Sequence, residues 1–386
     1  MPKICHIISG LKIGGAEIML ERLVSDQDRY QHCIISLTSL GEIGNRLQKA
    51  GLSVIALDLD RKPWNIFRLI KIIKSLKPLL VQTWLYHGDL IGGIAAKSAG
   101  VRHLVWGIHN TTLEAGKTKL STRLIVKFCA WLSQLLPSKI IACAHSTAEI
   151  HKSFGYSAEK FEVIPNGINI DLFKPDPSAR EKIRHELNLP LDTFLIGMLA
   201  RFDPQKDHQN FLEAAHLLLE RGYEGAFILA GAGVTQANKT LIEMIERYSL
   251  KEKVFLLGQR DDTAKLQSSL DLATLSSAYG EAFPLSLAEA MACEVPVVAT
   301  DLGDIGLLIG DVGRLVPILS SASLAQAWWE IYQLPITERK KLGSKARRRI
   351  QDLYELKETQ QRYLDLYHEL SSRDVSSGNH THYDKL

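Results

Sequence analysis

Two α/β domains, each built on a parallel sheet, are what this sequence predicts, and three observations carry it. Short apolar, β-branched segments alternate with helical periodicities along most of the chain, the pattern of strands joined by crossover helices. Glycine turns close two of the apolar segments, Lys3–Ser9 and Ala226–Ala230, just where a ligand site forms on such sheets. A stretch rich in proline and charge, Asp171–Pro177, separates two such series and reads as a linker, so the boundary is expected near residue 177. With 386 residues, 46% of them hydrophobic and 23% charged, the chain suffices for two cores.

Composition also limits the partners. The 46 basic and 43 acidic residues leave a net charge of +3, too small to suggest nucleic acid. The five cysteines, Cys5, Cys33, Cys129, Cys143 and Cys293, are odd in number, widely spaced and without a C-x-x-C pair, as expected of buried thiols in a reducing compartment. The apolar run after Met1 is too short for a signal peptide, and no stretch reaches the ~18 apolar residues of a membrane span, so a cytoplasmic location is expected.

In the first domain, strand Lys3–Ser9 leads through Gly10-Leu11-Lys12-Ile13-Gly14-Gly15-Ala16-Glu17 into a helix marked by Ile18, Leu20, Leu23 and Val24. Gly14 and Gly15 would let backbone amides approach a ligand, although such a pair also serves packing alone. Further strands are expected at 32–38, 53–57, 79–84, 103–108 and 138–143, with helices at 63–76 and 89–99. Asp58-Leu59-Asp60 has the form of a metal-binding acid pair, but a solvated strand exit explains it better. His87 and Asp89 follow one strand and are candidates for acceptor binding. His109, followed by Asn110 and Thr111, ends another; it is placed either to meet a ligand or to make a structural hydrogen bond. Residues 117–132 set Lys119, Arg123 and Lys127 at four-residue intervals beside an apolar face. A membrane-surface helix and a helix packed on the sheet both fit. Phe161–Asn169 is read as the last strand of this domain with an Asn-Gly turn.

The second domain restarts at Phe194–Ala200, and Arg201 and Lys206 follow on the loop. A planar fork and a point charge at this spacing can neutralise a diphosphate. Lys253–Gly258 is a further strand, followed by the polar loop Gln259-Arg260-Asp261. The stretch Tyr279–Ala292 carries Glu281 on a loop, then Phe283, Pro284, Leu285 and Ser286 at a helix start, then Glu289 in its second turn. Free amides and the positive dipole end at Leu285 and Ser286 favour a phosphate, while the two carboxylates can accept hydroxyl pairs of a ribose and a sugar. The alternative is a helix with two solvated acids. Val295–Thr300 is the strand that follows. From Thr337 to Leu370 the chain reads as helical, with Lys340, Lys341, Lys345 and Arg347–Arg349 as a basic face. Ser371 onward reads as a disordered tail whose His380 and His382 are too few for a metal site.

The Glu281 and Glu289 spacing, the Ala290-Met291-Ala292 that follows and the strand after it resemble the donor-binding signature of the retaining glycosyltransferases of family 4, with Gly14–Glu17, Arg201 and Lys206 as companions. The resemblance spans essentially the whole chain and is most specific from 197 to 317. It implies the GT-B fold: an acceptor-side Rossmann-like domain over 1–177, a nucleotide-sugar domain over 178–357, a helix at 358–370 returning to the first domain, a tail at 371–386, and a cleft between two facing domains. It implies catalytic roles for Arg201, Lys206, Glu281 and His109, the last against the transferred sugar. It implies donor contacts from Gly14, Gly15, Phe283, Leu285, Ser286, Glu289 and Arg260, the last near the base. The reaction implied is transfer of a sugar from a nucleotide diphosphate, with UDP expected, to a glycan or lipid-linked acceptor in cell-surface polysaccharide synthesis. Neither metal nor cofactor is expected, and contact with the inner membrane face fits a lipid-linked acceptor. Ala282 and Glu294 stand where members often have glycine. Competing readings are a non-catalytic sugar-nucleotide-binding subunit and a sugar-nucleotide epimerase; a nicotinamide oxidoreductase fits less well because G-x-G-x-x-G is absent.

Overall fold

The computed structural model describes residues 1–25, 29–111, 113 and 118–377, the side chains of 373–377 excepted. The chain divides into two compact units, Met1–Gly167 with Lys357 onward, and Ile168–Leu356.

The first unit holds a seven-stranded sheet of β1 (Lys3–Ile8), β2 (Gln31–Ser36), β3 (Ser53–Ala56), β4 (Leu80–Trp84), β5 (His103–Ile108), β6 (Lys139–Ala142) and β7 (Phe161–Val163), in the order β3-β2-β1-β4-β5-β6-β7. Every pairing is parallel; Cys5 of β1, for example, lies opposite Cys33 and Val81. Parallel strands must be covered on both faces, which is why they read as unbroken apolar runs. The second unit repeats the plan with β8 (Leu195–Leu199), β9 (Ala226–Ala230), β10 (Val254–Leu256), β11 (Leu272–Leu275), β12 (Val297–Thr300) and β13 (Arg314–Val316), in the order β10-β9-β8-β11-β12-β13. In each sheet the order reverses once, between β1 and β4 and between β8 and β11. Loops leaving such a pair diverge and open a crevice at the strands' carboxyl ends.

The expected strands and helices are present, most with ends shifted by no more than three residues, but β7 stops at Val163, short of the Phe161–Asn169 expected, and several other features differ. The segment expected as helix 89–99 is a π-helical turn, Gly88–Gly92, followed by helix Gly93–Ser98. The first unit ends at Gly167 rather than 177, because Ile168 bridges Glu355: its N–H donates to Tyr354 O and its carbonyl accepts from Leu356 N, which ties the linker into the second unit. The last helix runs Leu356–Ser377, past the expected end at 370, while 378–386 with His380 and His382 lie outside the described residues. It docks on the first unit through Gln360 Nε2 to Arg22 O (2.8 Å), Thr359 Oγ1 to Pro165 O (3.3 Å) and buried Tyr363, Tyr367 and Leu370. The basic face of helix Ile336–Leu353 is also not wholly solvated. Arg347 donates to Phe173 O and Ile170 O (3.0 and 3.2 Å), and Arg349 to Leu308 O and Leu307 O (2.8 and 2.6 Å). Among the described residues no helix is long and apolar enough to cross a membrane.

Helix Leu285–Ala292 packs on helix Ile336–Leu353. Gly343 makes this possible, since a Cβ there would lie 1.9 Å from Glu294 O. Glu294 itself is exposed at φ +62°, which accounts for glycine's advantage at this position. Gly343→Ala is expected to cost about 1–3 kcal/mol by overpacking, whereas Glu294→Gly should stabilise by about 0.5–1 kcal/mol, both read from denaturant midpoints.

The first core encloses several histidines. Trp84 Nε1 donates to His6 Nδ1 (3.3 Å), which leaves His6 Nε2–H to donate to His32 Nδ1 (2.9 Å). His151 Nδ1 donates to Thr147 O (2.7 Å), so its Nε2 accepts from Tyr86 (2.9 Å). Burial holds His6 well below the ordinary imidazole value of 6.5 and brings His32 and His151 down to about 4. The unfolded chain therefore binds protons that the folded one does not, so stability present above pH 6.5 is lost as pH falls toward 4, by on the order of 1–3 kcal/mol per ring. Asp89, raised by burial, works in the opposite direction and offsets part of the loss. The melting temperature is expected to fall steadily over this interval; a flat profile would contradict neutral buried rings.

Candidate functional site

The second unit gathers its polar side chains where its sheet order reverses. The loop after β8 carries Arg201 to Asp207, and the loop after the neighbouring β11 carries Ser276 to Pro284. Backbone and hydroxyl bonds stitch the two together: Ala278 N donates to Gln205 O (2.9 Å), and Ser276 Oγ to Lys206 O (2.9 Å) and Asp207 O (3.1 Å). Thr300, at the end of β12, donates to Ser277 O at 2.7 Å. Gly280 takes φ +73°, a left-handed turn suited to glycine, just before Glu281.

Glu281 is 5% exposed, and Lys206 Nζ forms an ion pair with its Oε1. The same oxygen accepts from Ser277 Oγ (2.6 Å) and Gln205 Nε2 (3.4 Å); none of the three donors reaches Oε2. Gln205 Nε2 also donates to Gly280 O (2.9 Å), and its Oε1 accepts from Arg201 Nη2 (3.1 Å). Arg201 is exposed and braced further by Asp203 at 3.2 Å. Arg201, Lys206 and Glu281 are thus brought together through Gln205 and Ser277. Sequence reasoning assigned no role to those two, although Gln205 lies on the same loop and Ser277 at the strand exit.

Helix Leu285–Ala292 starts beside this knot, because a crossover helix begins where its strand ends. Pro284 stands at the N-cap rather than inside the helix, and no side chain caps it. The amides of Leu285 and Ser286 thus stay clear of side-chain caps at the positive dipole end. Glu289 lies in the second turn, 8% exposed. At the other end Arg347 Nη1 donates to Ala292 O, satisfying a terminal carbonyl. Phe283 turns its ring into the core against Tyr354 (5.3 Å), leaving only its backbone at the helix start.

Arg260 differs from expectation. Its guanidinium is shared between Asp262 (2.7 Å) and Glu186, which raises its pKa, and it stands after β10, two strands away from β8. Held this way it fixes the loop's shape; its charge is already matched by two carboxylates.

The first unit's candidates occupy the ends of β1, β4 and β5. Gly14 is the N-cap of helix Gly15–Val24 in extended backbone that any residue adopts. Its role is space: a Cβ would lie 2.4 Å from Glu17 Oε2, the carboxylate that folds back over this helix start. His109 stacks on Trp84 (5.2 Å), both its ring nitrogens are enclosed without a hydrogen-bond partner, and burial lowers it to about 4, so it is neutral near pH 7. His87 is exposed. Asp89 is fully buried, accepts from Thr83 (2.6 Å), and is held well above the ordinary carboxyl range by desolvation. It is a core acid bracing β4, out of reach of an acceptor in solvent.

Comparison with known proteins gives the same picture. Residues 13–172 match the model of "Glycosyltransferase Family 4" and residues 179–349 that of "Glycosyl transferases group 1". The Escherichia coli UDP-Gal:alpha-D-GlcNAc-diphosphoundecaprenol alpha-1,3-galactosyltransferase is 28% identical over 66% of this chain and 65% of its own length, just under two thirds. The Bacillus subtilis putative glycosyltransferase EpsF is 26% identical over 78% of this chain and 79% of its own. The Campylobacter jejuni N,N'-diacetylbacillosaminyl-diphospho-undecaprenol alpha-1,3-N-acetylgalactosaminyltransferase is 27% identical over 67% and 70%. In structure, Anabaena HepE, solved with UDP and glucose, superposes with a TM-score of 0.85 over 96% of this chain and 100% of its own, at 23% identity. Two family models that leave only the chain ends and six residues between them, with a fold shared along nearly the whole length, place the chain in glycosyltransferase family 4, with the GT-B fold.

Proposed function

We propose that the chain is a retaining glycosyltransferase that moves a sugar from a UDP-linked donor to a hydroxyl of a lipid-linked or glycan acceptor in cell-surface polysaccharide synthesis. The observation that carries this is the single knot of Arg201, Lys206 and Glu281 beside the uncapped start of helix Leu285–Ala292. Two cations and two amides fit a diphosphate. Glu281 Oε2 and the Glu289 carboxylate fit hydroxyls of the sugar and the ribose. The lipid diphosphate acceptors in the names of the E. coli and C. jejuni relatives, and the UDP in the HepE complex, support the substrate classes.

In this reading the bond from the anomeric carbon to the β-phosphate oxygen breaks as the acceptor oxygen bonds to the same face of that carbon. The acceptor's proton passes to the departing diphosphate. Negative charge grows on the diphosphate as it leaves, and Arg201, Lys206 and the helix amides stabilise it there, so the mechanism requires no metal or cofactor. Neutral His109, with two nitrogens still to be partnered, is suited to hydroxyls of a ligand reaching the first unit. A lipid-linked acceptor places the enzyme at the inner face of a membrane.

Removing Lys206 is expected to slow transfer ~10²–10³-fold, as for other single donors to a developing anion. Thermal shifts separate the roles. UDP alone should raise the melting temperature of wild type and Glu281→Gln, and much less that of Lys206→Met. Glu281→Gln should lose the extra shift given by the UDP-sugar, together with slow donor hydrolysis, and a chelator should leave the wild-type rate unchanged. No shift with any nucleotide, or conversion of the donor to an epimer without acceptor, would overturn the proposal.

A further inference from the structure

The modest overall charge conceals a strong local imbalance. From Arg61 to Ala148 the only acidic residues are Asp89 and Glu114, against thirteen lysines and arginines, although the whole chain balances 46 bases against 43 acids. Asp89 is buried and held toward its neutral form, so it does not offset that charge at the surface. Positive charge is therefore segregated along the chain.

It is also segregated in space. Helices Asn65–Leu76, Gly93–Ser98 and Leu120–Ser133 pack one face of the first sheet, contributing Leu69, Ile73, Ala95, Ala96, Val126, Cys129 and Ala130 to a single core. Their outer sides form one layer. On helix Leu120–Ser133 and the turn after it, Leu120, Leu124, Phe128, Trp131 and Leu135 are 71, 59, 47, 60 and 66% exposed. At 100° per residue these five fall within an arc of about 80°, an unbroken apolar stripe on the side away from the core. Phe128 and Trp131 stack at 5.7 Å. Exposed Lys119 and Lys127, with half-buried Arg123, follow along one edge of the stripe; Lys117 lies outside the described residues. Helix Asn65–Leu76 adds Trp64 (65%) and Phe67 (69%) at its start, amid exposed Arg61, Lys62, Arg68, Lys71 and Lys74.

A stripe of this kind is costly to leave in water. Aromatic and leucine side chains flanked by cations, with no acid on the three helices and one exposed acid, Asp60, beside Arg61, match an anionic lipid surface: the rings enter the headgroup boundary while the lysines meet phosphates. Nucleic acid would use the cations and leave the leucines unburied. We propose that this helical layer is the face by which the protein docks on an anionic bilayer, with Trp131, Phe128 and Leu124 inserted and Arg68, Lys71 and Lys127 at the headgroups. This deepens the membrane-facing part of the reading above, and it is testable without donor or acceptor, so the two can fail separately.

The experiment is co-sedimentation of the full chain with vesicles of phosphatidylcholine alone or mixed with phosphatidylglycerol. Binding should be at least about tenfold tighter to the mixed vesicles and weaken as salt rises. Phe128→Ser/Trp131→Ser and Arg68→Glu/Lys71→Glu should each lower it about tenfold or more with melting temperatures unchanged, since all four side chains are at the surface. Indole emission should shift to the blue on binding in wild type and less in Trp131→Phe. Equal binding to both vesicles, no binding, or full binding by Phe128→Ser/Trp131→Ser would overturn the proposal. So would a dimer that this variant splits while vesicle binding persists, which would assign the stripe to a second copy of the chain.

Discussion

A buried carboxylate has to be compensated, and the second unit is arranged around that requirement at Glu281. At 5% exposed, the carboxylate would be costly without partners. Lys206, Ser277 and Gln205 supply them, all on one oxygen. They reach it only because β8 and β11 lie side by side where the sheet order reverses, which brings residues 75 apart in sequence into contact. The stitches around the pair, from Ser276 and Ala278 to the Lys206–Gln205 loop and from Thr300 to Ser277, hold both loops to the geometry that the ion pair needs.

This arrangement also links the side chains on which the proposed donor site rests. Gln205 accepts from Arg201 and donates to Glu281, so an exposed cation and a buried acid are joined by one amide. The helix that begins beside them is fixed at its far end by Arg347, and its packing rests on Gly343. A preorganised field of this kind costs little rearrangement when charge develops in a reaction.

The first unit handles buried polarity differently. Burial lowers His6, His32 and His151 and raises Asp89, and these groups are tied into short hydrogen-bonded rows with Trp84, Tyr86 and Thr83. His109 stands apart, stacked on Trp84 with both ring nitrogens unsatisfied. The outer helical layer adds a basic, aromatic surface to the same unit.

What the sequence alone determined was whatever depends on neighbours along the chain. Apolar runs gave the strands, periodicity the helices, and the Glu281–Glu289 spacing with its following strand gave the family; Arg201 and Lys206 were legible as a pair because both lie on one loop. Tertiary structure decided which of these groups meet. Gln205 and Ser277 became partners of Glu281 through strand order, which no local pattern encodes. Asp89 went to the core and Arg260 to two carboxylates because burial and long-range pairing are set by packing. The same holds for the chain's divide, moved to Gly167 by a bridge from Ile168 to Glu355, and for the five apolar residues whose exposure appears only once the opposite side of their helix is packed against the sheet.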